Sequence, residues 1–178
     1  KEQFLNNDNN IVLIQKVADQ CISTFKNNGK VLLCGNGGSA SDAQHIAAEL
    51  SGRFNYDRDP LYAEALHVNS SYVTAVANDY SYDDIYSRMI KAAGRKNDVL
   101  IGISTSGNSA NVVNAVIEAK KQGMITFALT GSNIGKLDVI ADVCIKVPSA
   151  NTARIQETHI LIGHVICEEI ETQLFPRS

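Results

Sequence analysis

The sequence predicts an α/β protein in which a five-stranded parallel sheet is covered by helices on both faces. Short apolar runs alternate along the chain with longer segments whose apolar residues recur at helical spacing. The apolar runs have no polar side, which is typical of parallel strands buried between two layers of helices. Polar, glycine-containing turns follow the first and the third run. This order indicates a three-layer fold that binds ligands beyond the carboxyl ends of its strands.

The elements follow one another in order along the chain. A first helix is expected at about 11–27, because Ile14, Cys21 and Phe25 recur on one face and Asn27-Asn28-Gly29 then ends it. Residues 1–10 are polar and show no clear periodicity. The strands are expected at 31–34, 65–68, 98–103, 124–129 and 143–147. Further helices are expected at about 39–49, 70–76, 83–93, 110–121 and 152–174, with a short helical stretch before the fifth strand.

These elements use the whole chain, so we interpret residues 1–178 as a single domain. No short repeat, linker or low-complexity segment divides it. Leu13 widens the apolar stripe of the first helix, a feature that suits packing between subunits and is also compatible with a monomer core. We expect the helix at about 11–27 to take part in oligomerisation.

The composition is that of an ordinary globular protein and argues against several classes of function. Hydrophobic residues make up 44% and charged residues 20% of the chain, and the net charge is −3. This charge disfavours a dedicated nucleic-acid binder, and no apolar run approaches membrane-spanning length. No secretory signal is visible, and the four cysteines lie in apolar segments without a Cys-x-x-Cys pair, as is typical of free thiols in a reducing compartment. We therefore expect a cytoplasmic protein that binds neither nucleic acid nor membrane.

The first polar turn, Gly35-Asn36-Gly37-Gly38-Ser39, joins an apolar strand to an alanine-rich helix. Its glycines allow a tight turn, and Ser39 or Ser41 is expected to cap the helix. The free N–H groups and the dipole at such a helix start favour an anion. His45 and Glu49 stand four residues apart and share one helix face. A surface ion pair is the simpler interpretation, but just beyond a glycine turn we favour a metal-binding or acid–base pair.

The second polar turn, residues 104–109, packs four hydroxyl groups and one glycine between a strand and a helix. The hydroxyls belong to Ser104, Thr105, Ser106 and Ser109. A serine-rich helix cap needs fewer hydroxyls, so we interpret this turn as a phosphate-binding loop. It is neither a nucleotide P-loop nor a dinucleotide-binding turn, because the sequence has no G-x-x-x-x-G-K-S/T and no G-x-G-x-x-G pattern.

The last helix contains Gln156, His159 and His164, which we consider as candidate metal ligands, and spacing alone leaves their roles open. Gln156 and His164 lie two turns apart, about 12 Å along the helix axis, so both reach one metal only if it lies between them. The simpler interpretation is an interface histidine at His164 and a surface amide at Gln156. His159, three residues after Gln156, is an alternative ligand.

Several motifs occur together and in a fixed order. They are Gly35-Asn36-Gly37-Gly38-Ser39, Asp42-Ala43-Gln44-His45 with Glu49, Asn78-Asp79, residues 102–109, and Arg154-Ile155-Gln156-Glu157 with His159 and His164. Through these motifs, from about Ile11 to Phe175, the sequence closely resembles the phosphoheptose isomerases, which are members of the sugar isomerase (SIS) domain family. His67 and Asn69 depart from residues common in that family, which bears on fine substrate preference and not on the reaction class.

The resemblance implies an SIS fold, assembly as a homotetramer and the isomerisation of sedoheptulose 7-phosphate to D-glycero-D-manno-heptose 7-phosphate. This reaction is the first step toward the heptose units of bacterial surface glycans. The resemblance also implies one zinc ion per subunit, bound by His45, Glu49, Gln156 and His164. The sugar-phosphate contacts that it implies come from Asn36, Gly37, Gly38, Glu49, Asn78, Asp79, Ser104, Thr105, Ser106, Ser109 and Gln156.

Isomerisation between an aldose and a ketose moves a proton between C1 and C2 through an enediol, which requires a base and an acid. We assign these roles to Glu49 and His164. Two rival functions stand beside this one: a non-catalytic SIS protein that binds a replication initiator, and an isomerase of another sugar phosphate. The initiator-binding relatives lack counterparts of Glu49 and His164, so the presence of both residues favours the enzyme.

Overall fold

A computed structural model of the chain, which describes residues 1–177, contains five strands in one sheet. The strands are Val31–Gly35 (β1), Ala63–Ala65 (β2), Val99–Ser104 (β3), Ile125–Thr130 (β4) and Val143–Lys146 (β5). Their order across the sheet is β2-β1-β3-β4-β5, and every neighbouring pair is parallel. The predicted five-stranded parallel sheet is confirmed.

Helices connect the strands and cover the sheet. The α-helices are Glu2–Leu5 (α1), Asp8–Lys26 (α2), Gly38–Ser51 (α3), Ser70–Asp79 (α4), Ile85–Ala93 (α5), Ala110–Lys121 (α6), Leu137–Ile140 (α7) and Thr152–Leu174 (α8). A short 3₁₀ helix, Tyr82–Asp84, precedes α5. Within residues 1–177, no helix combines enough length with enough apolar character to span a bilayer.

Alternate residues of each strand face opposite layers of helices, as the pleat of a strand requires. On β1, Val31 and Leu33 pack in a core with α2, α3 and α8, whereas Leu32 and Cys34 pack in a second core with α4, α5 and α6. Every residue of β1 and of β3 is buried. The strands are apolar throughout because each face of the sheet needs its own apolar surface.

The second strand is shorter and earlier than the sequence suggests. It pairs with β1 from Ala63 to Ala65, and the expected strand at 65–68 is therefore wrong. The Leu66 N–H still donates to the Leu33 carbonyl, but the chain then turns, and Val68 is 48% exposed. β2 is an edge strand, so its apolar run does not have to continue as a strand beyond its pairing with β1.

The amino-terminal residues are more ordered than their polar composition indicates. They form α1 and the first turn of α2, which begins at Asp8 under a cap by the Asn7 side chain. Phe4 is 1% exposed and joins the core that contains α2. One buried aromatic ring therefore holds α1 against the rest of the protein.

The strand register determines where the two polar turns emerge. Gly35 at the end of β1 lies opposite Ile103, one residue before the end of β3. The turn that leads into α3 and the loop that leads into α6 consequently leave the sheet side by side. The fold thus brings the glycine turn and the hydroxyl-rich loop to one edge of the sheet.

Candidate active site

The turn between β1 and α3 needs glycines because its backbone bends sharply and neighbouring groups pack directly against it. Gly37 has a φ of +56°, where a side chain is strained. A Cβ at Gly35 would lie 2.5 Å from the carbonyl oxygen of Ser39. A Cβ at Gly38 would lie 2.5 Å from Nε2 of Gln156, so the amide of Gln156 on α8 rests against the turn. This contact places one of the predicted ligands next to the predicted anion site.

Neither serine caps α3, so the predicted side-chain cap is wrong. The N-cap is Gly37, and no side chain caps the helix. Ser39 is buried in the first turn, and the Ser41 hydroxyl donates back to the Gly37 carbonyl at 3.4 Å. Gly37 and Gly38 are exposed, so the start of α3 faces solvent, with the Gln156 amide lying against Gly38.

The Asn36 side chain is held by amide and hydroxyl partners. Its Nδ2 donates to Oδ1 of Asn111 at 2.8 Å, and Nδ2 of Asn111 donates to Oδ1 of Asn36 at the same distance. The Tyr82 hydroxyl donates to the same Asn36 oxygen at 3.2 Å. Sequence reasoning missed Asn111 and Tyr82. The available signal for Asn111 was its position in the first turn of the helix that follows the hydroxyl-rich loop.

Three of the four hydroxyl groups in the loop 104–109 lie close to one another. Ser104 Oγ lies 3.0 Å from Ser109 Oγ and 3.4 Å from Ser106 Oγ, and Thr105 is partly buried. Ser109 is the N-cap residue of α6, but its side chain makes no capping hydrogen bond. The hydroxyls therefore cluster at a helix start without being used to cap it.

Asn78 and Asp79 lie at the end of α4, where both are exposed. Nδ2 of Asn78 donates to Oδ1 of Asp79 at 2.9 Å. Within residues 1–177 no hydrogen bond joins either side chain to the glycine turn or to the loop 104–109. The nearby Tyr82 does bond Asn36, so the segment passes beside the glycine turn.

Three side chains that could bind a metal meet where α3 packs on α8. Nε2 of His45 lies 2.9 Å from Oε1 of Glu49, and one ligand atom each from His45, Glu49 and His164 lie within 4.8 Å of one another. The two imidazole rings pack edge to face, with centroids 5.1 Å apart. The His45 side chain is 49% exposed and that of Glu49 is 24% exposed, so the donors are open to solvent. Two imidazole nitrogens and a carboxylate oxygen fit a divalent ion such as zinc.

A glycine on α8 allows this meeting. A Cβ at Gly163 would overlap the side chain of Ile46 on α3. Ile46 follows His45 and Gly163 precedes His164, so this close contact determines how near the two histidines come. Sequence reasoning missed Gly163, although a glycine on the apolar face of a long helix is a signal of close helix packing.

His159 lies elsewhere, and its suggested role as an alternative ligand is wrong. The residue is fully buried, with Nε2 3.2 Å from the Thr130 carbonyl at the end of β4. Burial lowers its pKa to about 4, although the bond to Thr130 raises it. His159 is thus a neutral residue of the contact between α8 and the sheet.

Asp42 is a titratable group that the motifs contain but to which sequence reasoning gave no role. It lies one turn before His45 on α3, and within the described chain its buried Oδ2 has no hydrogen-bond partner. Burial raises its pKa to about 6, against which His45 lowers it. A partly buried carboxyl group with a raised pKa therefore lies beside His45, one member of the cluster.

Comparison with known proteins places the chain among sugar isomerases. Residues 5–131 match the family model of the SIS domain. The phosphoheptose isomerase of Sulfurimonas denitrificans is 49% identical over 175 residues, which cover 98% of this chain and 90% of that protein. Phosphoheptose isomerase 2 of Campylobacter jejuni is 49% identical over 178 residues, covering 100% of this chain and 89% of that protein. The structure of the Neisseria gonorrhoeae phosphoheptose isomerase superimposes with a TM-score of 0.86 at 45% identity, covering 91% of this chain and 86% of that one.

Proposed function

We propose that this chain, which belongs to the SIS domain family, converts sedoheptulose 7-phosphate into D-glycero-D-manno-heptose 7-phosphate. The product is the first intermediate on the way to the heptose of bacterial surface glycans. The observation that carries the proposal is 49% identity, along nearly the whole chain, to proteins named phosphoheptose isomerase. The cluster of His45, Glu49 and His164 supports it, because these side chains suit acid–base and metal chemistry.

The phosphate is proposed to bind in the loop 104–109. Support comes from the mutually bonded hydroxyls of Ser104 and Ser109 and from their position at the start of α6, where the helix dipole favours an anion. The sugar hydroxyls would then lie toward the glycine turn, which neighbours this loop across the ends of β1 and β3. The proposed substrate contacts are Asn36, Gly37, Gly38, Glu49, Asn78, Asp79, Ser104, Thr105, Ser106, Ser109 and Gln156.

Glu49 and His164 are proposed to move the proton between C1 and C2. One of them removes the proton from carbon, and the other protonates or deprotonates the neighbouring oxygen, so that an enediol forms and collapses. Both side chains are partly buried and lie on two different helices. They can therefore reach two adjacent atoms of one substrate from different directions.

A zinc ion, one per subunit, is proposed to be held by His45, Glu49, His164 and the amide oxygen of Gln156. The first three supply donor atoms within 4.8 Å of one another, a set that zinc accepts. When bound, such an ion supplies Lewis-acid polarisation of a carbonyl oxygen or holds a diol. The contact between Gln156 and Gly38 keeps the fourth proposed ligand at the edge of the glycine turn.

We also propose that residues 1–178 form one domain that assembles into a homotetramer through α2. Support comes from the exposed apolar side chains at the start of α2, where Ile11 is 49% and Val12 62% exposed. Packing of α2 against a second copy would remove this apolar surface from water. A cytoplasmic location is proposed because all four cysteines are free thiols.

The test is an isomerase assay on the metal-replete protein. Sedoheptulose 7-phosphate is supplied and the aldose phosphate is followed, with and without a chelator. Turnover that the chelator removes supports both the isomerase and the metal site, whereas turnover that survives verified metal removal keeps the enzyme and removes the metal from its chemistry. A folded, zinc-loaded protein without turnover would contradict the proposal and favour the initiator-binding function, or another sugar phosphate if a substrate panel shows activity.

A further inference from the structure

The cluster on α3 and α8 lies beside a buried ion pair that the proposed mechanism does not use. Glu171, two turns beyond His164 on α8, accepts a hydrogen bond from Nε of Arg58 at 3.2 Å. The Arg58 and Glu171 side chains are 2% and 1% exposed. Removing two charged groups from water is costly unless both are well paired, so a pair at this place calls for a physical reason.

The Glu171 carboxylate holds the segment that follows α3. Its Oε1 accepts from the Phe54 N–H at 2.9 Å, and its Oε2 accepts from the Asn55 N–H at 2.7 Å. The backbone of Phe54 is thereby tied to α8. The Phe54 ring lies against the His164 imidazole, with centroids 5.7 Å apart. Glu171 therefore anchors the backbone of the residue whose aromatic ring lies beside His164.

The Arg58 guanidinium connects the same carboxylate to α3. Its Nη2 donates to the carbonyl of Glu49 at 2.8 Å, and its Nη1 donates to the carbonyl of Leu50 at 2.8 Å. The last carbonyls of a helix have no partner within the helix, so a fixed guanidinium there caps it. The capped turn is the one that carries Glu49. Arg58 therefore links Glu49 on α3 to Glu171 on α8, the helix that also carries His164.

We propose that the Arg58–Glu171 pair is a positioning unit of the site: it holds Glu49 on α3, and Phe54 beside His164 on α8, in the mutual arrangement that metal binding and proton transfer need. Neither residue touches the substrate in this role. The inference rests on the proposed function, but the arrangement itself can be measured without turnover.

The chain offers a matched control at the other end of the sheet. Asp98, whose side chain is 3% exposed, accepts from Nζ of Lys30 at 2.6 Å and from the N–H groups of Lys30 and Arg95 at 3.0 and 2.8 Å. Lys30 and Asp98 directly precede β1 and β3. This buried carboxylate has the same kinds of partner as Glu171, but it lies at the strand ends opposite the candidate site.

The experiment compares Glu171→Gln with Asp98→Asn in the full chain. Urea unfolding, Zn²⁺ affinity by calorimetry, and kcat and KM for sedoheptulose 7-phosphate are measured for each. The ring-proton resonances of His164 are recorded by NMR and assigned with His164→Gln. Glu171→Gln is expected to lower Zn²⁺ affinity and kcat by about 10- to 100-fold, and to shift the His164 resonances in the direction that Phe54→Leu shifts them. Asp98→Asn is expected to lose stability while Zn²⁺ affinity, kcat and the His164 resonances stay at wild-type values.

A folded Glu171→Gln protein with wild-type Zn²⁺ affinity and wild-type His164 resonances would overturn the proposal. If Glu171→Gln does not fold, Arg58→Lys carries the test, because a lysine ammonium cannot bond Glu171 and the α3 carbonyls in the same fork geometry. Arg58→Lys is expected to show the same His164 shift and a loss of Zn²⁺ affinity, and wild-type values in both would equally overturn the proposal. If the wild type lacks turnover, the proposed function fails while the resonances still decide the positioning role.

Discussion

The two ends of the parallel sheet differ in how completely their carboxylates are hydrogen-bonded, as Asp98 and Asp142 at the amino ends and Asp42 at the carboxyl ends show. At the amino ends, Asp98 accepts hydrogen bonds from Lys30 and Arg95, and Asp142 accepts from Lys120 and from the N–H and hydroxyl of Thr126. Burial raises the pKa of Asp142, but these hydrogen bonds outweigh it and hold that pKa below its usual value.

At the carboxyl ends, polar groups are left available. The buried Oδ2 of Asp42 has no partner in the described chain, and its pKa is raised to about 6. The Ser104 and Ser109 hydroxyls bond each other, and the His45 side chain is half-exposed. The difference teaches that Asp98 and Asp142 at the amino ends are paired within the chain, whereas at the carboxyl ends Asp42 keeps an unpaired oxygen and His45 a half-exposed ring, which is where an α/β sheet is expected to bind a ligand.

Among the substitutions at the carboxyl ends of the strands, Glu49→Gln should reduce turnover the most. The variant keeps the size of the side chain but removes its charge and basicity, so turnover should fall by about 10²- to 10⁴-fold. Binding of inorganic phosphate, measured by calorimetry, should stay at the wild-type value because the loop 104–109 is untouched. Retained turnover would refute the base role of Glu49.

Gly163→Ala should separate α3 from α8. The added methyl group overlaps Ile46, so we expect a stability loss of about 1–3 kcal/mol together with about 10-fold weaker Zn²⁺ binding. Gly94→Ala is the control at the amino ends, where a Cβ would lie 2.6 Å from Sδ of Met124. Gly94→Ala should lose stability by urea unfolding without losing Zn²⁺ affinity, and equal losses of affinity in both variants would contradict the role given to Gly163.

Ser109→Ala should sharpen the assignment of the phosphate loop. If the Ser109 hydroxyl binds the phosphate as proposed, its removal costs about 1.5 kcal/mol, which corresponds to about a 10-fold higher KM. The value of kcat should change less than about 2-fold, because the lost bond is the same in ground and transition state. Steady-state kinetics measure both constants. A fall in kcat at unchanged KM would argue against phosphate binding by Ser109.

His159→Gln should leave the candidate site unchanged and reduce the pH dependence of stability. The folded pKa of His159 is about 4, below the usual value of 6.5, so between these values the unfolded chain binds a proton that the folded chain does not. The free energy of unfolding should therefore fall as pH falls from about 6.5 to about 4, by up to about 3 kcal/mol. Urea unfolding at several pH values should show a shallower slope for His159→Gln, and parallel slopes would contradict this account.

The sheet could be predicted from the sequence more reliably than the site. Parallel strands buried on both faces are apolar throughout, so four of the five strands lie where their apolar runs occur. β2 was misplaced because it is an edge strand whose length depends on its pairing with β1. The cap of α3 was misplaced because the backbone of Gly37 starts that helix, a detail that side-chain preferences do not reveal.

For the site, the pair of His45 and Glu49 follows from helix geometry, because residues four apart share a face. His164 entered through resemblance to a family, since spacing on α8 by itself favoured an interface histidine. No sequence motif pointed to Phe54, Arg58 or Glu171. An ion pair between a loop and a distant helix produces no periodic pattern in the sequence.

The sequence by itself determined most of the elements, the tight glycine turn and the shared face of His45 and Glu49, because each depends on residues a few positions apart. Residue spacing did not decide that His164 joins that pair, and only the tertiary structure shows the three side chains together and a buried carboxylate and guanidinium nearby. The physical reason is that the distance between α3 and α8 depends on how Ile46 packs over Gly163. Packing between segments that are distant in the chain cannot be deduced from either segment alone.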